Sequence, residues 1–154
     1  MDSYIDVSFH EIDSLLLGYI IFRLFGLSDR KSLLISFLFT FLGGVLIDVD
    51  HFIDHFLSFG INFNYDYFIK GEYFLKSNKA YIVFHAVEYI ILSGLLAILL
   101  GDRKKKMIFT ALALGMLFHI LIDILLFPNP IKGYFILYRM LNGFNVDMSK
   151  GILE

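Results

Sequence analysis

The sequence predicts an all-α fold, an integral membrane bundle of about four transmembrane helices, and three observations carry that prediction. Hydrophobic residues make up 58% of the 154-residue chain and mean hydropathy is +0.72, whereas soluble domains hold about 45–50% apolar residues. Three apolar runs, near residues 32–47, 80–100 and 107–127, approach or reach the ~20 residues that a helix needs to cross a ~30 Å hydrocarbon core. Eighteen Phe and nine Tyr supply bulky and interfacial aromatics in the absence of Trp. The length suits one membrane-embedded domain over residues 1–154, with spans near 13–27, 32–56, 80–100 and 107–127.

The first span is the weakest. Leu15 to Leu27 is interrupted by Arg23, which can snorkel to an interface. Asp2, Asp6, Glu11 and Asp13 precede it, the opposite of the basic flank of a secretory signal, so a retained helix is expected. The second run needs its polar continuation, residues 48–59, to reach full length. Residues 60–79 mix aromatics with charge and read as an interfacial loop or short helix. The third and fourth runs fit a bilayer as they stand, and Pro128 and Pro130 should end the fourth helix. The tail over residues 131–141 again reads as interfacial.

Charge placement orients this bundle. Arg23, Arg30, Lys31 and Arg103 to Lys106 crowd two short connections. Lys70, Lys76, Lys79, Lys132, Arg139 and Lys150 are spread over long stretches on the other side. The positive-inside rule therefore puts both termini outside the cytoplasm. Net charge is −2 and no basic tail or stripe points to nucleic acid. Cysteine is absent, which excludes disulfides and thiolate ligands. Membrane lipids are the expected partners, and oligomeric state is undetermined.

Ionisable groups inside membrane segments are costly, and their default reading is functional. Here they cluster. The second span closes on Asp48, Asp50, His51, Asp54 and His55. At 100° per residue Asp48, His51 and His55 share a face, with Asp50 and Asp54 on its flank. His85 and Glu88 open the third span at i, i+3, and His119 and Asp123 stand at i, i+4 in the fourth. His10 lies just ahead of the first. All five histidines belong to this set, and the four-span topology brings them to one leaflet.

Imidazole with carboxylate suits Zn²⁺, Mn²⁺ or Fe²⁺, and helical bundles build dinuclear sites from inward His and carboxylate. The expected ligands are His10, Asp48 or Asp50, His51, His55, His85, His119 and Asp123, for about two divalent ions, Zn or Mn. Glu88 or Asp54 is the spare carboxylate for general-base work. Plainer readings exist for each piece: His10 as a solvated loop residue, Asp54 and His55 as the wet end of a helix, His85 with Glu88 as a structural pair. Gly43 and Gly44 suit close helix packing.

At these residues the chain resembles the membrane-bound, metal-dependent hydrolase family of the LexA-regulated inner-membrane protein type. Its pattern is matched by His10, by Gly43, Gly44, Asp48, Asp50 and His51, by His85, and by His119 and Asp123. Ile47 stands where the family usually has Pro. The resemblance implies a membrane-bound, metal-dependent hydrolase, and the place of the site at interface depth makes a phosphoester or ester of a lipid the expected substrate. A divalent-cation or proton transporter is the alternative, and haem ligation is disfavoured by the carboxylate beside nearly every histidine.

Overall fold

The computed structural model describes residues 3–65, 68, 77–126 and 131–145, residues 3–9 by their backbone alone, and among these the protein is helical with no strand. Six α-helices lie wholly within them: α1 Ser3–Leu24, α2 Arg30–Gly44, α3 Val49–Phe59, α4 Val87–Leu99, α5 Arg103–Leu126 and α6 Ile136–Leu141. Two 3-10 turns, Leu46–Asp48 and Ile131–Tyr134, precede α3 and α6. Most of the expected interfacial stretch, residues 66, 67 and 69–76, lies outside the described residues, as do Pro128 and Pro130. The tail expected to be interfacial does carry helix, as the second 3-10 turn and α6. The chain divides into two compact units, Met1–Ile47 with Val87–Ile122, and Asp48–Ala86 with Asp123–Glu154.

The first unit contains α1, α2, α4 and most of α5. Gly26, at φ +57°, reverses the chain after α1, a conformation that costs glycine little. Asp29 then caps α2, accepting the Ser32 amide at 2.9 Å and the Ser32 hydroxyl at 2.8 Å. Those two hydrogen bonds, helped by Lys104 Nζ at 3.7 Å, hold the Asp29 carboxyl below the usual carboxylate range. Asp102 opens α5 in the same way, accepting the Lys105 amide at 2.8 Å. Each cap is followed at once by basic residues, which oppose the positive end of a helix dipole. They do not stabilise the helices they begin.

Leu17, Ile21, Met107 and Ala111 form the apolar core of this unit, with Phe25, Leu27, Ile35, Phe39 and Leu114 against it. Close packing depends on missing side chains. A Cβ on Gly44 would lie 2.1 Å from Ser14 Oγ, and one on Gly115 would lie 2.7 Å from the Thr40 carbonyl. Hydroxyls bind where backbones meet: Ser36 donates to the Gly18 carbonyl at 2.8 Å, and Thr40 to the Ser36 carbonyl at 3.0 Å. α4 buries Ser93 and exposes Ile91, Leu92, Leu95, Ile98 and Leu99.

The second unit is more irregular. α3 buries Asp50, Asp54 and His55, while Val49, Phe52, Ile53, Phe56 and Leu57 face outward. Residues 79–86 run without helix into α4. Phe144, in the left-handed region at φ 59°, follows Gly143 and turns the chain back. Its carbonyl accepts the Ala80 amide at 2.9 Å, beside the Lys79–Asn145 bridge.

Several expected boundaries change. Of the four anticipated spans, one continuous helix, α5, is long and apolar enough to cross a membrane; α2 with α3 makes a second only if the broken pair is one span. α1 starts about ten residues earlier than expected, and it carries His10, which is therefore helical and buried rather than ahead of the helix. No Pro or Gly interrupts residues 3–17, so the helix extends. Its Glu11, Asp13 and Arg23 are spread along the helix, whereas the basic residues of α5 are gathered in its first turn and leave a longer apolar stretch. The third span shrinks to the 13 residues of α4, about 20 Å of helix. The amides of residues 81, 84 and 85 are taken by side chains instead of by a helical turn.

Candidate metal centre

The second unit brings His85 into the middle of a carboxylate cluster. Asp50 is fully buried on α3 and accepts the Phe84 amide at 2.6 Å and the His85 amide at 3.3 Å. It also meets the imidazole, with His85 Nδ1 3.0 Å from Oδ1 and 3.1 Å from Oδ2. A carboxylate that also accepts two amides is an acceptor here, so the Nδ1 proton belongs to His85 and Nε2 is the nitrogen that could hold a metal ion. This orienting contact is the outer-shell arrangement common behind metal-bound histidines.

At Nε2 the surroundings are again acidic. Asp48 Oδ1 lies 3.1 Å away and Asp123 Oδ2 3.8 Å away. His51 Nε2 is 3.6 Å from the same Asp48 oxygen, and its ring meets that of His85 edge-on at 4.9 Å. Adjacent ligands of a tetrahedral ion with bonds near 2.1 Å are separated by about 3.4 Å, in the range of these contacts. Asp50, His51 and His85 also offer one atom each, all within 4.8 Å of one another. These His and Asp groups can hold a metal ion.

Other expected site residues fall elsewhere. His55 is buried among rings, its centroid 4.9 Å from Phe63, 5.3 Å from Phe59 and 5.9 Å from Phe68. Asp54 accepts the Tyr81 amide through Oδ1, and Oδ2 has no hydrogen-bond partner among the described residues. The flank of the expected face, Asp50 and Asp54, is buried together with His55, while His51 and Asp48 of that face are partly exposed. Glu88 stands in the first turn of α4, in the first unit, and His85 precedes that helix, in the second, so the two do not share a helix as expected.

His10 and His119 lie in the first unit, stacked at 4.0 Å between centroids with 24° between planes. His119 Nδ1 donates to the Gly44 carbonyl at 2.9 Å, one of the carbonyls left over at the end of α2. That bond fixes the tautomer and leaves Nε2 of His119 as the nitrogen with a lone pair. Gly44 thus combines two tasks, close approach and orientation of an imidazole.

One residue of this region escapes the sequence reading. Arg139, placed there among scattered surface cations, is buried and donates to the carbonyls of Ile82 and His85. An arginine inside an otherwise apolar short helix, Ile136–Leu141, was the available signal. Comparison of the chain with family models, with curated proteins and with solved structures gives no match.

Proposed function

We propose that the chain is a multi-pass membrane protein of about four spans that binds a divalent transition metal, Zn or Mn, and hydrolyses a phosphoester or ester of a lipid. The carrying observation is the charge around His85. Three carboxylates face one imidazole, Asp50 at Nδ1, and Asp48 and Asp123 at Nε2. Buried anions need compensating charge, and a divalent ion at Nε2 provides it. The inverted polarity of α3 and α4, apolar outward and polar inward, supports a lipid surround, because a water-facing helix has the opposite pattern.

Asp48, His51, His85 and Asp123 would hold the ion, with Asp50 fixing the imidazole, and in the first unit His10 and His119 would offer a pair of ligands to a separate ion. When bound, the metal supplies Lewis acidity to a phosphoryl or carbonyl oxygen. Asp54, with one oxygen still available, takes a proton as general base, and Glu88 is the alternative. Transport is the weaker reading, since the buried hydroxyls Ser32, Ser36 and Thr40 along α2 are committed to Asp29 and to backbone carbonyls rather than to a polar path.

Elemental analysis of wild type, Asp123→Asn and the exposed control Asp102→Asn tests the metal. The expected result is bound transition metal in wild type and control and its loss in Asp123→Asn. Equal content in all three overturns the assignment. The density of basic residues in the two short turns supports an orientation with both termini and the Gly60–Lys79 loop outside the cytoplasm. An Asn78→Cys protein should react with an impermeant thiol reagent in intact cells, and protection there with labelling at Asp102→Cys reverses the orientation.

A further inference from the structure

We propose that Arg139 positions His85 for metal binding without itself touching the ion, an inference that rests on the metal reading of the second unit. Residues 79–86 lack helical hydrogen bonds, so each amide and carbonyl there must find another partner if it is to be buried. The partners divide by sign. Carboxylates of α3 take the amides, Asp54 that of Tyr81 and Asp50 those of Phe84 and His85. The guanidinium of α6 takes carbonyls, Arg139 Nη1 on Ile82 and Nη2 on His85, the latter at 2.8 Å.

His85 is therefore fixed at three points. Its amide and its Nδ1 are held by Asp50, and its carbonyl by Arg139. Carboxylates supply acceptors and cannot hold a carbonyl, so the third point needs a donor. A planar fork with fixed N–H directions can hold two carbonyls three residues apart, whereas an ammonium is a point charge. Locking the carbonyl locks the peptide plane after His85. Nε2 then stays directed at Asp48 and Asp123 rather than swinging with the loop. Arg139 is 54 residues from His85 in sequence, so it is a positioning residue supplied by a separate element.

The test uses the full-length protein in detergent, titrated with Co²⁺ and followed by its visible ligand-field absorption. Arg139→Gln should weaken Co²⁺ binding about 10–100-fold, the usual cost of losing an outer-shell partner, and alter the spectrum of the saturated protein. Arg139→Lys should restore part of the affinity. In a His85→Ala background, Arg139→Gln should change the residual affinity no further, because the coupling runs through His85. Wild-type affinity and spectrum in Arg139→Gln overturn the positioning role and leave the metal reading standing. An equal loss with and without His85 also overturns it, since Arg139 would then only hold the fold. A wild type that takes up no Co²⁺ overturns both readings. If Arg139→Gln does not fold, the same cycle with Arg139→Lys decides.

Discussion

The two units solve one problem with different chemistry. In the first, apolar helices approach closely where glycine removes the side chain, and the buried hydroxyls of Ser36 and Thr40 bond to backbone carbonyls. In the second, acidic and basic side chains replace secondary structure around residues 79–86, with acceptors on α3 and a donor fork on α6. Neutral contacts are individually weak and tolerant. Charged contacts to backbone are strong but interdependent, because removing one partner strands the others. The first arrangement makes a scaffold, and the second holds an imidazole in one orientation.

The largest effect should come from breaking the charged unit. Asp50→Leu leaves the Phe84 and His85 amides and the His85 ring without their acceptor, an expected cost of about 3–5 kcal/mol. Hydrogen exchange should speed up across residues 79–86 while α1 and α2 keep their protection. Uniform loss of protection in both units would mean that the difference between them has no energetic content.

Breaking the neutral unit should cost less. Gly44→Leu puts a side chain where Ser14 Oγ sits 2.1 Å from the Cβ position, and overpacking of this kind costs about 1–3 kcal/mol. Exchange should then rise in α1 and α2, and the His119 ring should lose its anchor on the Gly44 carbonyl. Gly94 has nothing within 4 Å of a Cβ, so Gly94→Ala on α4 should be neutral or mildly stabilising. If the two glycines respond alike, close approach does not hold this unit.

The smallest effect is one of pH. Asp29 has a depressed carboxyl in the folded protein, so its contribution is complete above the ordinary carboxylate value of about 3.9 and disappears as pH falls through the folded value. Acid titration of thermal stability should show this small loss in wild type. Asp29→Asn keeps a capping side chain and should remove that pH dependence. An unchanged acid profile would place the sensitivity elsewhere.

The all-α class follows from hydropathy, and the gathering of His85 with Asp48, Asp50 and Asp123 agrees with the expectation that His and carboxylate groups of separate apolar runs meet. The interruption before Asp48 was less legible. Hydropathy averages through Gly43 and Gly44, and a window cannot see that packing there demands bare backbone. Residues 80–86 were hidden for a related reason. Their apolar character is real, but what stops the helix is a set of acceptors 27 to 35 residues upstream. Tyr81, Ile82, Val83 and Phe84 do favour extended backbone, a local hint that length arguments overrode. Arg139 was invisible because nothing near it in sequence reveals the carbonyls it serves.

The Arg139 contact also dictates an order of biogenesis. Its partners Ile82 and His85 precede it by 57 and 54 residues, and α6 leaves the ribosome after α3 and residues 79–86. At roughly 5–20 residues per second, elongation separates those events by seconds, long compared with closing a short loop. During that interval the Ile82 and His85 carbonyls have no guanidinium, and the imidazole is held from one side only. α6 is the fastener and is made after the elements it fastens, so a ribosome that stalls before residue 139 delivers α3 and residues 79–86 without it.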